Sequence, residues 1–171
     1  MNAWCDRTIE ERNLLNPAFC AVVLWHLAKG YQAESAAIGQ GEVGLPIELA
    51  FVGASFVLRG QTRRQLPRDT RTSLATWIQD HPLERSAVAK GVVVLRPYVR
   101  EAVIFGSQQG AIALAGTALA ASARVSRLIA VYLKQSSDEV RDCGHRAQFV
   151  GRWMYKGGTP PTVMTLVGVQ A

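Results

Sequence analysis

The stretch Gln109-Gly110-Ala111-Ile112-Ala113-Leu114-Ala115-Gly116-Thr117-Ala118-Leu119-Ala120 decides how the rest of the chain is read. Gly110 stands where a helix end takes a left-handed residue. Ala111–Ala115 and Ala118–Ala120 then flank Gly116-Thr117, the pattern of strand, tight turn and strand. Upstream, Pro97 opens a helical pattern running to Gln109, with Val99, Ala102, Val103 and Phe105-Gly106 on its apolar side. A helix followed by a short hairpin is the ending of a winged-helix domain, in which the hairpin is the wing.

Working outward, the other segments read as helices. Asn16-Pro17 places a capping side chain before a proline suited to the first helical position. Phe19, Cys20, Val23, Leu24 and Leu27 then repeat at three and four residues, and this helix is expected to end near Gly30. Residues 32–44 read as a loop, and Pro46 precedes an apolar helix over Ile47–Leu58, with a strand as the alternative for Ala50–Leu58. Asp69 or Thr70 begins a helix over Arg71–Asp80, which His81-Pro82 stops. Leu83–Leu95 has a helical start and an ambiguous end, and Val125–Lys134 is less regular. Ser136-Ser137-Asp138-Glu139 starts a helix that runs to Tyr155 or Lys156, followed by a short terminal segment over Val163–Val169. The expected architecture is one domain over 1–171, mainly α with a small β-hairpin. It has a helical N-terminal part about 1–60, a winged-helix-like part about 67–123 packed with flanking helices, and C-terminal helices about 136–171.

Composition bounds the function. An apolar fraction of 49% against a charged fraction of 19% fits a compact core and excludes global disorder. No apolar run reaches the ~20 residues that span a bilayer. No charged start followed by an apolar core marks a signal peptide, so a cytoplasmic protein without membrane contact is expected. Cys5, Cys20 and Cys143 lie far apart without the spacing of a zinc site. The glycines at 39, 41 and 44 carry no phosphate-loop signature, so no cofactor is expected. Cys143 and His145, two apart on a helix, point ~200° from each other and cannot form a nucleophile–base pair. Without a catalytic constellation, the chain reads as a non-enzyme.

The net charge of +6 is carried mainly by arginine. Arg59, Arg63, Arg64, Arg68 and Arg71 fall within 13 residues. They suit DNA phosphates, acidic residues of a protein partner, or a merely solvated face. Asn16, Pro17 and Phe19 read as a docking surface, or as a capped helix start with a buried ring. Arg152, Trp153 and Tyr155 are residue types of binding hot spots, and Gly151 beside them lets another backbone approach. Equally, Trp153 reads as core and Arg152 as the partner of an internal carboxylate such as Glu139 or Asp142.

Four pieces in order carry a family resemblance over most of the chain. They are Asn13–Cys20, Leu66–Leu74, Arg96–Ala102 with Gln109-Gly110, and Ser137–Val140 with Phe149-Val150-Gly151-Arg152-Trp153. The chain resembles the middle component of bacterial three-component ABC-ATPase systems, similar to the small subunit of Lamassu-type defence systems. The resemblance implies a non-catalytic adaptor that links an SMC/Rad50-like ABC ATPase to an effector, often a nuclease, in defence against phage or plasmids. It implies DNA contact through the complex, and a winged-helix part comparable by fold-level analogy to the KITE-type subunits of SMC complexes. The alternative function is a winged-helix DNA-binding transcriptional regulator. The alanine-rich segment 111–123 departs from the more polar wing expected of such a subunit.

Overall fold

The computed structural model describes residues 15–169. Helix α1 (Pro17–Ala37) is followed by strand β1 (Leu45–Pro46) and helices α2 (Ile47–Leu58), α3 (Gly60–Gln65) and α4 (Leu74–Asp80). Then come α5 (Pro82–Gln108), β2 (Ile112–Ala115), β3 (Ala118–Ala121) and α6 (Ser126–Gln135). The chain closes with α7 (Asp138–Lys156) and α8 (Pro160–Val167). The protein is mainly α with a small antiparallel sheet.

The Asn16-Pro17 start forms as its chemistry dictates. Asn16 Oδ1 accepts the Ala18 N–H at 2.8 Å, filling one donor that the first turn leaves open. From Cys20 to Ala28 only Val22 is not fully buried, so α1 is apolar nearly all round and runs through the centre of the core. It packs on α7, α5 and α2.

Gly30 does not end this helix, contrary to the sequence expectation; α1 continues to Ala37. Its role is close packing. A Cβ on Gly30 would lie 2.1 Å from the Gln148 carbonyl oxygen, and one on Gly151 would lie 2.1 Å from that of Leu27. The two backbones touch, and only glycine on both sides permits it. The helices run in the same direction, since His26 lies beside Gly144 near their starts and Glu34 meets Arg152 and Lys156 near their ends.

The hairpin stands where the sequence placed it. Ile112 pairs with Ala121 and Leu114 with Leu119, across a turn at Gly116-Thr117. Gly116 has φ 60 and Thr117 does not have a positive φ, the arrangement of a type II′ turn. Gly110, at φ 65, takes the left-handed position after α5. Strand β3 also pairs with β1, Leu45 opposite Leu119, so the sheet order is β1-β3-β2. The sheet therefore draws a strand from residues 45–46, upstream of the 67–123 part outlined from the sequence. Ile112, Leu119 and Leu45 point into the core.

Two more elements differ from expectation. Helix α5 runs unbroken through Pro97. The Val93 carbonyl that loses its donor there belongs to a stretch where Val93 and Val94 are exposed. Residues 126–135 form a regular helix, α6, set on a small separate cluster of Trp25, Ile129 and Leu133. The main core runs from Cys20 to Val167, with Trp153, Phe56, Leu24 and Leu27 among its largest fully buried side chains. Each such side chain contributes about 1.5–3 kcal/mol by leaving water.

The α1–α7 contact gives a direct test. Gly151→Ala forces a methyl group into the Leu27 carbonyl and is expected to cost about 3 kcal/mol. Urea unfolding would register this, and an unchanged midpoint would mean the two backbones can separate freely.

Candidate functional site

Asn16 and Phe19 border two adjoining grooves. One, about 270 Å³, is lined by Ala18, Val22, Phe105 and Ile129. The other, about 260 Å³, is lined by Leu58, Arg63, Glu139 and Cys143. Tyr132 of α6 borders both as well, and is 41% exposed. Pro17 is half-buried beside them. Sequence reasoning missed Tyr132 because it left α6 irregular. The signal was present in Ile129 and Leu133, four apart, which are the two buried positions of that helix.

The second group divides. Trp153 is 1% exposed, stacked on Phe149 at 5.6 Å and edge-on to Phe56 and Trp77, and its indole N–H donates to the Thr72 carbonyl at 2.8 Å. The ring lies in the core because 153 shares the inward stripe of α7 with Ala147, Val150 and Met154. Arg152 faces outward and donates to Glu34 Oε2 at 3.2 Å, and Lys156 reaches Glu34 Oε1 at 3.2 Å. Burial pushes the Glu34 carboxyl up, but these two cations and their hydrogen bonds outweigh it and hold the group below its ordinary value. Tyr155 donates its hydroxyl to Gln40 Oε1 at 2.5 Å. The backbone that Gly151 admits is that of α1 in the same chain.

The five arginines do not form one face. Arg63 is 4% exposed and points inward. Its guanidinium donates to the Val57 carbonyl at 2.8 Å, to Asp142 at 2.8 Å and to Glu139 at 2.9 Å. These are the carboxylates considered as partners for Arg152; Arg63 takes both, and Arg152 turns to Glu34. Arg59 is half-buried with Nε unpartnered. Arg64, Arg68 and Arg71 are exposed, and Arg71 pairs with Asp69 at 2.6 Å.

Cys20 and Cys143 are buried free thiols. Burial pushes Cys20 up to about 12 and Cys143 to about 11, so both stay protonated at neutral pH. His145 is exposed while Cys143 is buried, so the two diverge as helical geometry requires. Cys5 lies outside the described residues. Among the described residues no group of three or more His, Cys, Asp or Glu could hold a metal ion. Among them, too, no helix is long and apolar enough to cross a membrane.

His26 is 6% exposed, and neither ring nitrogen has a hydrogen-bond partner. Desolvation, with smaller contributions from Lys29 and His145, lowers its pKa from 6.5 to about 4. Between these values the unfolded chain binds a proton that the folded chain refuses. Stability is therefore lost as pH falls through this window, by up to about 3 kcal/mol from this group. His26→Leu is expected to flatten that part of the stability–pH curve; a slope identical to the wild type would assign the loss elsewhere. Arg63→Met, which strands the Val57 carbonyl and frees two carboxylates, is expected to cost about 2 kcal/mol in urea unfolding. A wild-type midpoint in that variant would mean that Arg63 adds nothing net.

A family model described as ABC-three component (ABC-3C) system Middle Component 3 matches residues 4–171. No curated protein and no solved structure matches the chain.

Proposed function

The chain belongs to the ABC-three component system middle component 3 family, and from that membership we propose that it is a non-catalytic adaptor. It bridges an SMC-like ABC ATPase and an effector such as a nuclease, in a complex directed against phage or plasmids. The observation that carries this reading is the family match, which takes in nearly the whole chain.

The surface around Phe19 supports it. Asn16, Phe19 and Tyr132 border two grooves at the start of α1, one mainly apolar and one of mixed lining, with Pro17 half-buried nearby, a concave site of the kind that accepts a partner's anchoring side chain. We assign this surface to the ATPase. Arg64, Arg68 and Arg71 are exposed and line neither groove, and they give orientation and on-rate with an acidic partner. Arg152 and Tyr155 sit at the rim of α7, with Trp153 holding that helix in the core rather than meeting a partner.

The sheet order β1-β3-β2, with β1 after α1 and the hairpin β2–β3 after α5, supports a winged-helix-like part over about 67–123 that takes its outer strand from residues 45–46. The hairpin weighs against a DNA-reading wing, since residues 110–122 contain no Lys or Arg. DNA then reaches this subunit through the complex, and the regulator reading loses the phosphate contacts of its wing.

Co-purification with the other two components of the system tests the adaptor. The wild type is expected to form a stoichiometric complex with the ATPase, and Phe19→Ala with Tyr132→Ala to weaken it about tenfold or more. Recovery of the chain alone, or with DNA only, would refute the adaptor.

A further inference from the structure

A third groove, of about 350 Å³, lies between α2, α5 and α8 and shares no lining residue with those around Phe19. Ile47, Phe51, Val92, Pro161, Met164 and Val169 make its apolar lining, with Val92 at 5% and Met164 at 6% exposure on its floor. Arg96 and Arg100 stand on its rim, four residues apart on α5 and both exposed. Neither has an ion-pair or hydrogen-bond partner among the described residues. The acidic residue at the rim is Glu48, in the first turn of α2.

Helical arithmetic extends the surface beyond the groove. At ~100° per residue, Arg96 and Arg100 form a row between the inward stripe of Val92, Val99 and Val103 and an outward stripe of Val93, Pro97 and Ile104. Val93 is 64% exposed and Ile104 58% exposed. Around α5 the order is thus apolar groove, cationic row, apolar row. A single chain segment laid across it meets all three.

We propose that this face of α5 docks an acidic amphipathic segment of one of the other two components, with an apolar side chain in the groove and flanking carboxylates on Arg96 and Arg100. Charge selects that occupant. Two exposed guanidiniums without an internal carboxylate are complementary to Asp or Glu in a bidentate fork. A second copy of this chain fits poorly, because a twofold contact here would set arginine against arginine in a protein that already carries a net +6. A nucleic-acid backbone fits poorly too, since an apolar groove offers a phosphate nothing. The proposal rests on the adaptor reading in that the chain must bind those components at all.

The test measures binding of purified wild type and Arg96→Glu/Arg100→Glu to three probes: the ABC ATPase of the system, its third component, and a short DNA duplex. Both arginines are exposed, so the thermal midpoint is expected to stay unchanged. Affinity for one protein component is expected to fall about tenfold or more, by less at high salt, while the other component binds as before. Arg96→Lys/Arg100→Lys is expected to keep most of the affinity. Unchanged binding of both components overturns the proposal and leaves the adaptor reading standing. Loss confined to the DNA duplex overturns it in favour of a nucleic-acid surface. A wild type that binds neither component overturns the adaptor reading and this proposal with it.

Discussion

The bare contact between α1 and α7 is the constraint on which the rest of the structure depends. Gly30 and Gly151 bring two backbones together with no side chain between them. Because the helices run parallel, every further pairing along them is set by that crossing. Tyr31 reaches Tyr155, Glu34 sits between Arg152 and Lys156, and His26 lies beside Gly144. The depth of α1 follows from it: a helix wedged this tightly must be apolar on nearly every side.

Arg63 makes a second join of a different kind. It ties the last turn of α2, through the Val57 carbonyl, to the first turns of α7, through Glu139 and Asp142. A cation with 4% exposure is tolerated only because three acceptors surround it. The arginines left outside, Arg64, Arg68 and Arg71, are those free of such internal duty, apart from the local pair of Arg71 with Asp69. The basic segment is thus divided between holding the fold and presenting charge.

What the sequence disclosed was local chemistry. The Asn16 cap, the helix start at Ser136–Glu139, the tight turn at Gly116-Thr117 and the left-handed Gly110 depend on neighbours two or three residues away, and each formed as read. What it hid depended on distant partners. Gly30 carries the composition of a terminator, and only the approach of Gln148 makes it a contact. Pro97 reads as a start, and α5 passes through it unbroken. Trp153 and Arg152 are adjacent in sequence and opposite in fate, because one faces the core and the other Glu34. Tyr132 gains its place only from the helical register of α6, which Ile129 and Leu133 mark weakly in the sequence. The groove between α2, α5 and α8 joins residues more than 100 positions apart, so no local pattern pointed to it.

One feature of the packing separates the molecule into parts of unequal resilience. Helix α6 rests on Trp25, Ile129 and Leu133, a cluster distinct from the main core, and keeps Leu128 at 70% and Val131 at 47% exposure. Little apolar area holds it down, so its opening costs less free energy than that of the helices beneath it. Amide exchange would see α6 as a cooperative unit that opens and closes while α1 and α7 stay protected; equal protection would deny it that independence. Tyr132 rides on this unit, so the walls of the Phe19 grooves include an element able to lift away without unfolding the rest.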